Sequence, residues 1–494
     1  MSGVTDVPAL IVFVAVFVFV AVLGFVAARW RRPGTLAHLD EWGLGGRQFG
    51  TWTTWFLVGG DFYTAYTVIA VPAAVYAAGA YGFFALPYTI IVYPIVFAIM
   101  PRLWTVASRA GYVTAADVVL GRWRSRPLEL AVAVTGVLAT MPYIALQLVG
   151  MKVVITALGL PAEISLFVAF LVLAVFTYAS GLRAPALIAF VKDAMIYIVV
   201  LAAVVIVPTR LGGYAHMFDA AGQWFAAHPA NKGGLILRAP QYWAYASLAL
   251  GSAMAAFMYP HTLTGVFAAK SADTIRKNAV LLPIYTLLLG LIALLGYMAH
   301  AAGIEVADKN DAVPALFHAV FPGWFAGFAF AAIAVGALVP AAVMSIGAAN
   351  LFTRNFWKAY VNPAVTPAGE SEVAKVTSLV VKVGALLVIL FVPVEFALDL
   401  QLLGGLWILQ TFPSVVFGLF RVPGLHRLSA SGLLAGWAAG MALGTGLIVV
   451  DGFKPLHAVL GTTVFTGLIA FVVNVVVAAA VSALAPRRTA AFAD

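Results

Sequence analysis

Asp61 stands about ten residues into an apolar stretch that opens at Thr51, directly after Gly59 and Gly60. A carboxylate at bilayer depth costs about 2.5–3.5 kcal/mol to insert, so it marks an ion or proton pathway unless it pairs with a buried lysine to hold helices together. Two consecutive glycines weaken the helix and free backbone groups to line a polar cavity. The string GGDFYTAYT (59–67) adds the hydroxyls of Tyr63, Thr64, Tyr66 and Thr67 within about one and a half turns. A broken helix carrying a buried carboxylate is how a secondary transporter holds an ion or proton.

Other candidates are spread along the chain. His261 follows Pro260 in AFMYPHTLTG (256–265), where the proline predicts a second discontinuous helix. A histidine there could gate or donate to a carboxylate; the competing reading is a ring satisfied by a nearby carbonyl. Lys192 and Asp193 lie a turn or two inside another span and, as sequence neighbours, need not pair. Asp193 either guides an ion outward or is an interfacial charge that snorkels. Lys152 and Lys382 fall nearer helix ends, where snorkelling or structural pairing is expected. Ser345, in VPAAVMSIGAAN (339–350), could join the carbonyls near Ala341 and Ala342 in an oxygen cage for sodium, or sit in a small-residue packing seam. No metalloprotease, phosphate-loop or serine-triad pattern is present, so a membrane enzyme has little support.

The elements that must position these residues are membrane helices. Of 494 residues, 63% are hydrophobic and 10% charged, and mean hydropathy is +1.03. Soluble domains average about 45–50% apolar and about 25% charged. Absence of cysteine rules out disulfides, thiolate metal sites and a cysteine nucleophile. The run 7–28 is followed, not preceded, by Arg29, Arg31 and Arg32, which predicts a first span rather than a cleavable signal. Apolar stretches able to cross about 30 Å of hydrocarbon fall near 7–29, 51–78, 82–105, 126–158, 161–181, 184–209, 240–268, 278–303, 324–352, 373–398, 400–420, 428–451 and 457–484. The expectation is an all-α integral membrane protein of about thirteen transmembrane helices, N-terminus outside and C-terminus inside. On that count twenty Lys and Arg fall in inner loops and five in outer loops, so the +9 charge reads as a topology signal and not a nucleic-acid patch. Connections 210–239 and 304–323 are expected to be long outer loops.

One transmembrane domain, 1–494, is expected: an extra helix at 7–29, five helices in 51–209, five in 240–420, and two C-terminal helices in 428–484. Two odd-membered halves in series must be inverted, and transporters of that design bind substrate at the interface of the halves.

The strings LGGRQFGTW (44–52), VTAADVVLGRW (113–123), YIALQLVG (143–150) and AAVMSIGAANLFTRNFW (341–357) resemble the sodium:solute symporter family, in the right order from about residue 40 to 420. GGDFYTAYT together with MSIGAANLFTRN looks most like its bacterial monocarboxylate permeases. The resemblance implies a LeuT-type fold, with the two five-helix groups as inverted repeats. It also implies a sodium site built from the carbonyls of Gly60, Tyr63 and Ala342 and the Ser345 hydroxyl. Ile346 stands where the family supplies a second hydroxyl, and Phe62 at its usual polar position. Either Asp61 replaces the lost ligand and sodium still binds, or the site is given up and Asp61 carries a proton; the balance falls slightly to the proton. Asp193 matches an aspartate beneath the sodium site. Tyr143 and Gln147 match a polar pair lining the substrate cavity, and Gln410 and Pro413 a kinked helix. Pro260-His261 matches a pair in proline-type members, with Gly265 in place of the arginine that follows there.

These readings converge on a symporter of a bacterial cytoplasmic (inner) membrane. It would import a small monocarboxylate such as pyruvate, lactate, acetate or propionate, driven by a proton or sodium gradient through alternating access. Asp61, Gly60, Tyr63, Ala342, Ser345 and Asp193 would serve ion coupling; Thr64, Thr67, Tyr143, Gln147, His261 and Gln410 would contact substrate. The expected partners are that substrate, a coupling proton or Na+, and the lipid bilayer, with no nucleic acid and no cofactor other than Na+ as coupling ion. The alternative is a sodium-coupled carrier of another solute such as proline or pantothenate.

Overall fold

In a bilayer every backbone N–H and C=O must be satisfied within the protein, so long apolar runs fold as helices. The structure, a computed structural model, describes residues 6–27, 38–60, 63–391, 397–420 and 428–484. Asp61 and Phe62 lie outside the described residues, as do Arg29, Arg31, Arg32, Arg421, Arg427, Arg487 and Arg488 of the topology count. The first half contains α1 (Val7–Ala27), α2 (Leu39–Leu44), α3 (Thr51–Gly59), α4 (Val71–Ala78, entered through a π-helical turn at Tyr66–Ala70), α5 (Ala85–Ala110), α6 (Ala115–Trp123), α7 (Arg126–Ala157), α8 (Ala162–Ser180) and α9 (Arg183–Arg210). There follow α10 (Gly213–Ala227), α11 (Tyr242–Ala256), α12 (Pro260–Ala268), α13 (Ala272–Leu281), α14 (Pro283–Ala293), α15 (Leu295–Ala301), α16 (Ala312–Val320) and α17 (Gly323–Phe352). Last come α18 (Pro367–Phe391), α19 (Ala397–Leu409), α20 (Phe412–Val416), α21 (Ala430–Val450) and α22 (Thr466–Leu484).

The expected thirteen spans are not found. Among the described residues nine helical stretches are long and apolar enough to cross a membrane, or ten if the bent pair α19 and α20 forms one span. Breaks are a main cause. The stretch 51–78 divides after Gly59, leaving nine residues in α3, while its second part continues into the apolar run Tyr66–Ala110. The stretch 240–268 divides into α11 and α12, of 15 and 9 residues. At about 1.5 Å per residue neither piece alone covers about 30 Å. The parity argument for the C-terminus falls with the count. The outer connections differ too, since 210–239 holds α10 and 304–323 holds α16. The all-helical expectation has one small exception, an antiparallel hairpin of β1 (Leu456–Val459) and β2 (Thr462–Phe465) ahead of α22.

α17 runs through the centre, buried along most of its length, and packs against α1, α7, α9 and α18. Its small residues permit close approach: a Cβ on Gly327 would run into the Ala9 backbone of α1. The hairpin joins the C-terminal pair to the core, because Ser247 Oγ of α11 accepts the Phe465 N–H at 2.9 Å.

Candidate functional site: two broken helices

Freed backbone donors in a membrane need partners, and the break after α3 obtains them from side chains. The Thr64 N–H donates to Thr67 Oγ1 at 3.0 Å, and the Tyr66 N–H to Thr64 Oγ1 at 3.0 Å. The Ala65 N–H donates to Gln147 Oε1 of α7, also at 3.0 Å. Thr64, Thr67 and Gln147 therefore cap the restart of the helix, and the donors they satisfy are closed to a ligand.

Lys192 and Asp193 of α9 reach this break together. Both are fully buried, and their charged atoms are 3.2 Å apart, so these sequence neighbours do pair. Lys192 Nζ also donates to the Gly60 carbonyl at 2.5 Å and the Tyr63 carbonyl at 3.3 Å. The other Asp193 oxygen accepts from the Tyr285 hydroxyl of α14 at 2.5 Å. The two glycines now have separate reasons. A Cβ on Gly59 would collide with the Tyr285 ring, and one on Gly60 would lie 2.7 Å from the Lys192 ammonium.

α17 passes the break at Gly336, where an added Cβ would lie 3.6 Å from the Tyr63 carbonyl. Pro340 has no N–H, so the Gly336 carbonyl loses its ordinary helix partner. Ala342 and Ser345 lie six and nine residues further along, about 9 and about 13 Å at 1.5 Å per residue. The Ser345 hydroxyl donates back to the Ala341 carbonyl at 2.7 Å. From Gly323 to Met344, α17 has no side-chain oxygen. Ala342 and Ser345 thus lie further along α17 than Gly336, and the Gly60 and Tyr63 carbonyls face an ammonium.

The second break, Phe257–Tyr259, is built differently. α12 begins with Pro260, which has no N–H, and has no side-chain cap; its positive dipole end lies at the break, close against Gly347 of α17. His261, 2% exposed, lies against Tyr143 and Tyr259 at ring-centroid distances of 5.4 and 5.3 Å. Its Nδ1 has no hydrogen-bond partner among the described residues. These groups border a small cavity lined by Tyr88, Val92, Val96, Met100, Tyr143, Phe257, Tyr259, His261 and Gln401, among others. Tyr259 donates to the Gln401 backbone carbonyl at 2.9 Å, while Gln401 Oε1 is also unpartnered among the described residues. Lining by Gln401, Tyr88 and Tyr259 was not anticipated; a glutamine in mid-span was the available signal.

Of the other expected residues, Gln410 faces the C-terminal pair. Its amide donates to the Leu406 and Gly467 carbonyls at 3.0 and 3.3 Å, and its oxygen accepts from Asn474 at 3.2 Å. A separate polar cluster occupies the ends of α6, α7 and α17. Thr114 and Asp117 form a capping box on α6. Asn355, in a π-helical extension of α17 (Thr353–Val361), donates to Asp117 at 2.7 Å and Glu129 at 2.8 Å. Arg126 pairs with Glu129 at 2.9 Å, and Lys358 with Glu370.

Comparisons with known proteins agree with this architecture. Residues 42–440 match the model of the Sodium:solute symporter family. The chain is 67% identical over 484 residues to a protein of Rhizobium johnstonii called "Monocarboxylate transport permease protein", covering 97% of each. It is 35% identical over 408 residues to "Uncharacterized symporter YodF" of Bacillus subtilis, covering 81% of each. A solved Na+-coupled sialic acid symporter, in a substrate-bound outward-open state, superposes with a TM-score of 0.74 at 15% identity, covering 98% of this chain and 99% of the other. That likeness shows the fold alone: multi-pass, helical and related to Na+-coupled symporters. From α2 through both broken helices to the start of the C-terminal pair, the match is continuous, and the chain belongs to the sodium:solute symporter family, a family of transporters and not of enzymes.

Proposed function

We propose that this symporter imports a small monocarboxylate, of the size of acetate, propionate, lactate or pyruvate, across a bacterial cytoplasmic membrane, driven by a proton or sodium gradient through alternating access. The whole chain acts as one transporter domain. The observation that carries the substrate class is His261 on the first turn of the uncapped α12, facing a mainly aromatic and aliphatic cavity whose other polar side chains include Thr262 and Gln401. Backbone N–H groups at a helix N-terminus and an imidazole N–H suit one carboxylate. The Tyr143, Val92, Val96 and Met100 walls suit a short apolar tail and offer few partners to a polyhydroxylated solute. The name of the Rhizobium johnstonii relative supports the same class.

In this reading His261 and Tyr143 contact substrate directly, while Thr64, Thr67 and Gln147 hold the first break in shape. Gln410 anchors the C-terminal helices. Asp61, next to Gly60 in the sequence, remains the proposed coupling carboxylate, together with Asp193. The test is labelled pyruvate uptake by purified protein in liposomes, with an inward proton or sodium gradient imposed separately. Uphill, saturable accumulation under either gradient supports the proposal. A lack of uptake of pyruvate, lactate, acetate and propionate under both would end the monocarboxylate assignment.

A further inference from the structure

We propose that the Lys192 ammonium is the permanent cation of the first helix break, so that this site holds a tethered charge and takes no sodium. The inference rests on reading that break as the ion-coupling site of a symporter, and concerns which cation sits there.

Three observations carry it. First, the Lys192 ammonium donates to the carbonyls of Gly60 and Tyr63 and pairs with the Asp193 carboxylate at 3.2 Å. The two carbonyls are the broken-helix oxygens that would face a dissociable cation. Second, the opposing wall offers no side-chain ligand, only the Gly336 carbonyl that Pro340 leaves without its helix partner. α17 meets the Tyr63 carbonyl at Gly336, and the following turn contributes Ala337, Leu338, Val339 and Pro340, which lack side-chain oxygens. Third, the backbone and the lysine approach closely, since a Cβ at position 60 would lie 2.7 Å from its Nζ.

A sodium ion would have to displace a fully buried ammonium from its acceptors among the described residues, the Gly60 and Tyr63 carbonyls and the Asp193 carboxylate. It would also have to leave that ammonium without compensation in a low-dielectric interior, which is strongly unfavourable. The Tyr285 hydroxyl strengthens the arrangement by holding the second Asp193 oxygen, so the carboxylate presents the first to Lys192.

The experiment uses the full-length protein purified in detergent, without substrate. Its melting temperature is followed against NaCl, with choline chloride keeping ionic strength constant. The wild type is expected to show no saturable, sodium-specific shift. Lys192→Ala, which uncovers two carbonyls and a carboxylate, is expected to gain a sodium-specific rise that Asp193→Asn in the same background removes. A saturable sodium shift in the wild type that Asp193→Asn weakens would put sodium at this site and overturn the proposal. The wild-type measurement stands alone if Lys192→Ala does not fold. Because no substrate is involved, failure of the monocarboxylate assignment would appear only in the liposome assay and leave this result intact.

Discussion

The Gln147 carboxamide oxygen, on α7, accepts the backbone N–H of Ala65 at 3.0 Å, across 82 residues of chain. A side chain expected from sequence to touch substrate is thereby committed to the backbone of the broken helix. Gln147→Leu should leave that buried donor unsatisfied, at a cost of about 1–3 kcal/mol. The expected outcome is a lower melting temperature and a reduced maximal uptake rate, with KM for pyruvate changed less than twofold.

His261 should behave in the opposite way. His261→Ala removes the imidazole from the cavity but leaves the capped break untouched. KM for monocarboxylate uptake should rise on the order of tenfold, equivalent to about 1.4 kcal/mol of binding, while melting shifts little. A large fall in stability at unchanged KM would instead identify the ring as a packing element.

Asp61→Asn keeps the size of the side chain and removes its charge. If this carboxylate couples ion to substrate, uphill accumulation should vanish while exchange of labelled for unlabelled substrate persists. Full gradient-driven accumulation by the variant would remove Asp61 from the coupling machinery.

Asn355 joins two carboxylates, Asp117 and Glu129, that are nearly inaccessible to water. Asn355→Leu deletes two hydrogen bonds to ionisable groups, each worth about 1.5–3 kcal/mol. Asn355→Asp should be worse, because it adds a third carboxylate to the same pocket. Thermal melting of both variants checks the order.

Legibility from sequence divides along a physical line. Both helix breaks were readable, because Gly59-Gly60 and Pro260 change the backbone itself. The number of spans was not, because counting apolar stretches assumes one straight helix for each. Mid-span polar residues announced their importance but not their direction: Tyr143 borders the cavity, Gln147 caps a backbone, and Gln410 meets Asn474 of α22. Nothing in the spelling of these residues distinguishes the three uses, since each satisfies the same requirement for a partner in a dry interior. The pairing of Lys192 with Asp193 was hidden for another reason. Adjacent side chains leave a helix in different directions, and only the length and flexibility of the lysine stem brings its tip back to the carboxylate. The motifs that carried the family resemblance, such as VTAADVVLGRW and NLFTRN, turn out to hold the Thr114–Asp117–Asn355 cluster and not the cavity.

The hairpin of β1 and β2 has a mechanical meaning. Phe465 is bonded to Ser247 and its ring fills the space above Gly251, both on α11. α22 in turn grips Gln410 through Asn474. The last two membrane helices are thereby strapped to the stem of the second break. A carrier cut short before the hairpin would therefore lose a brace on that stem and not a passive appendage.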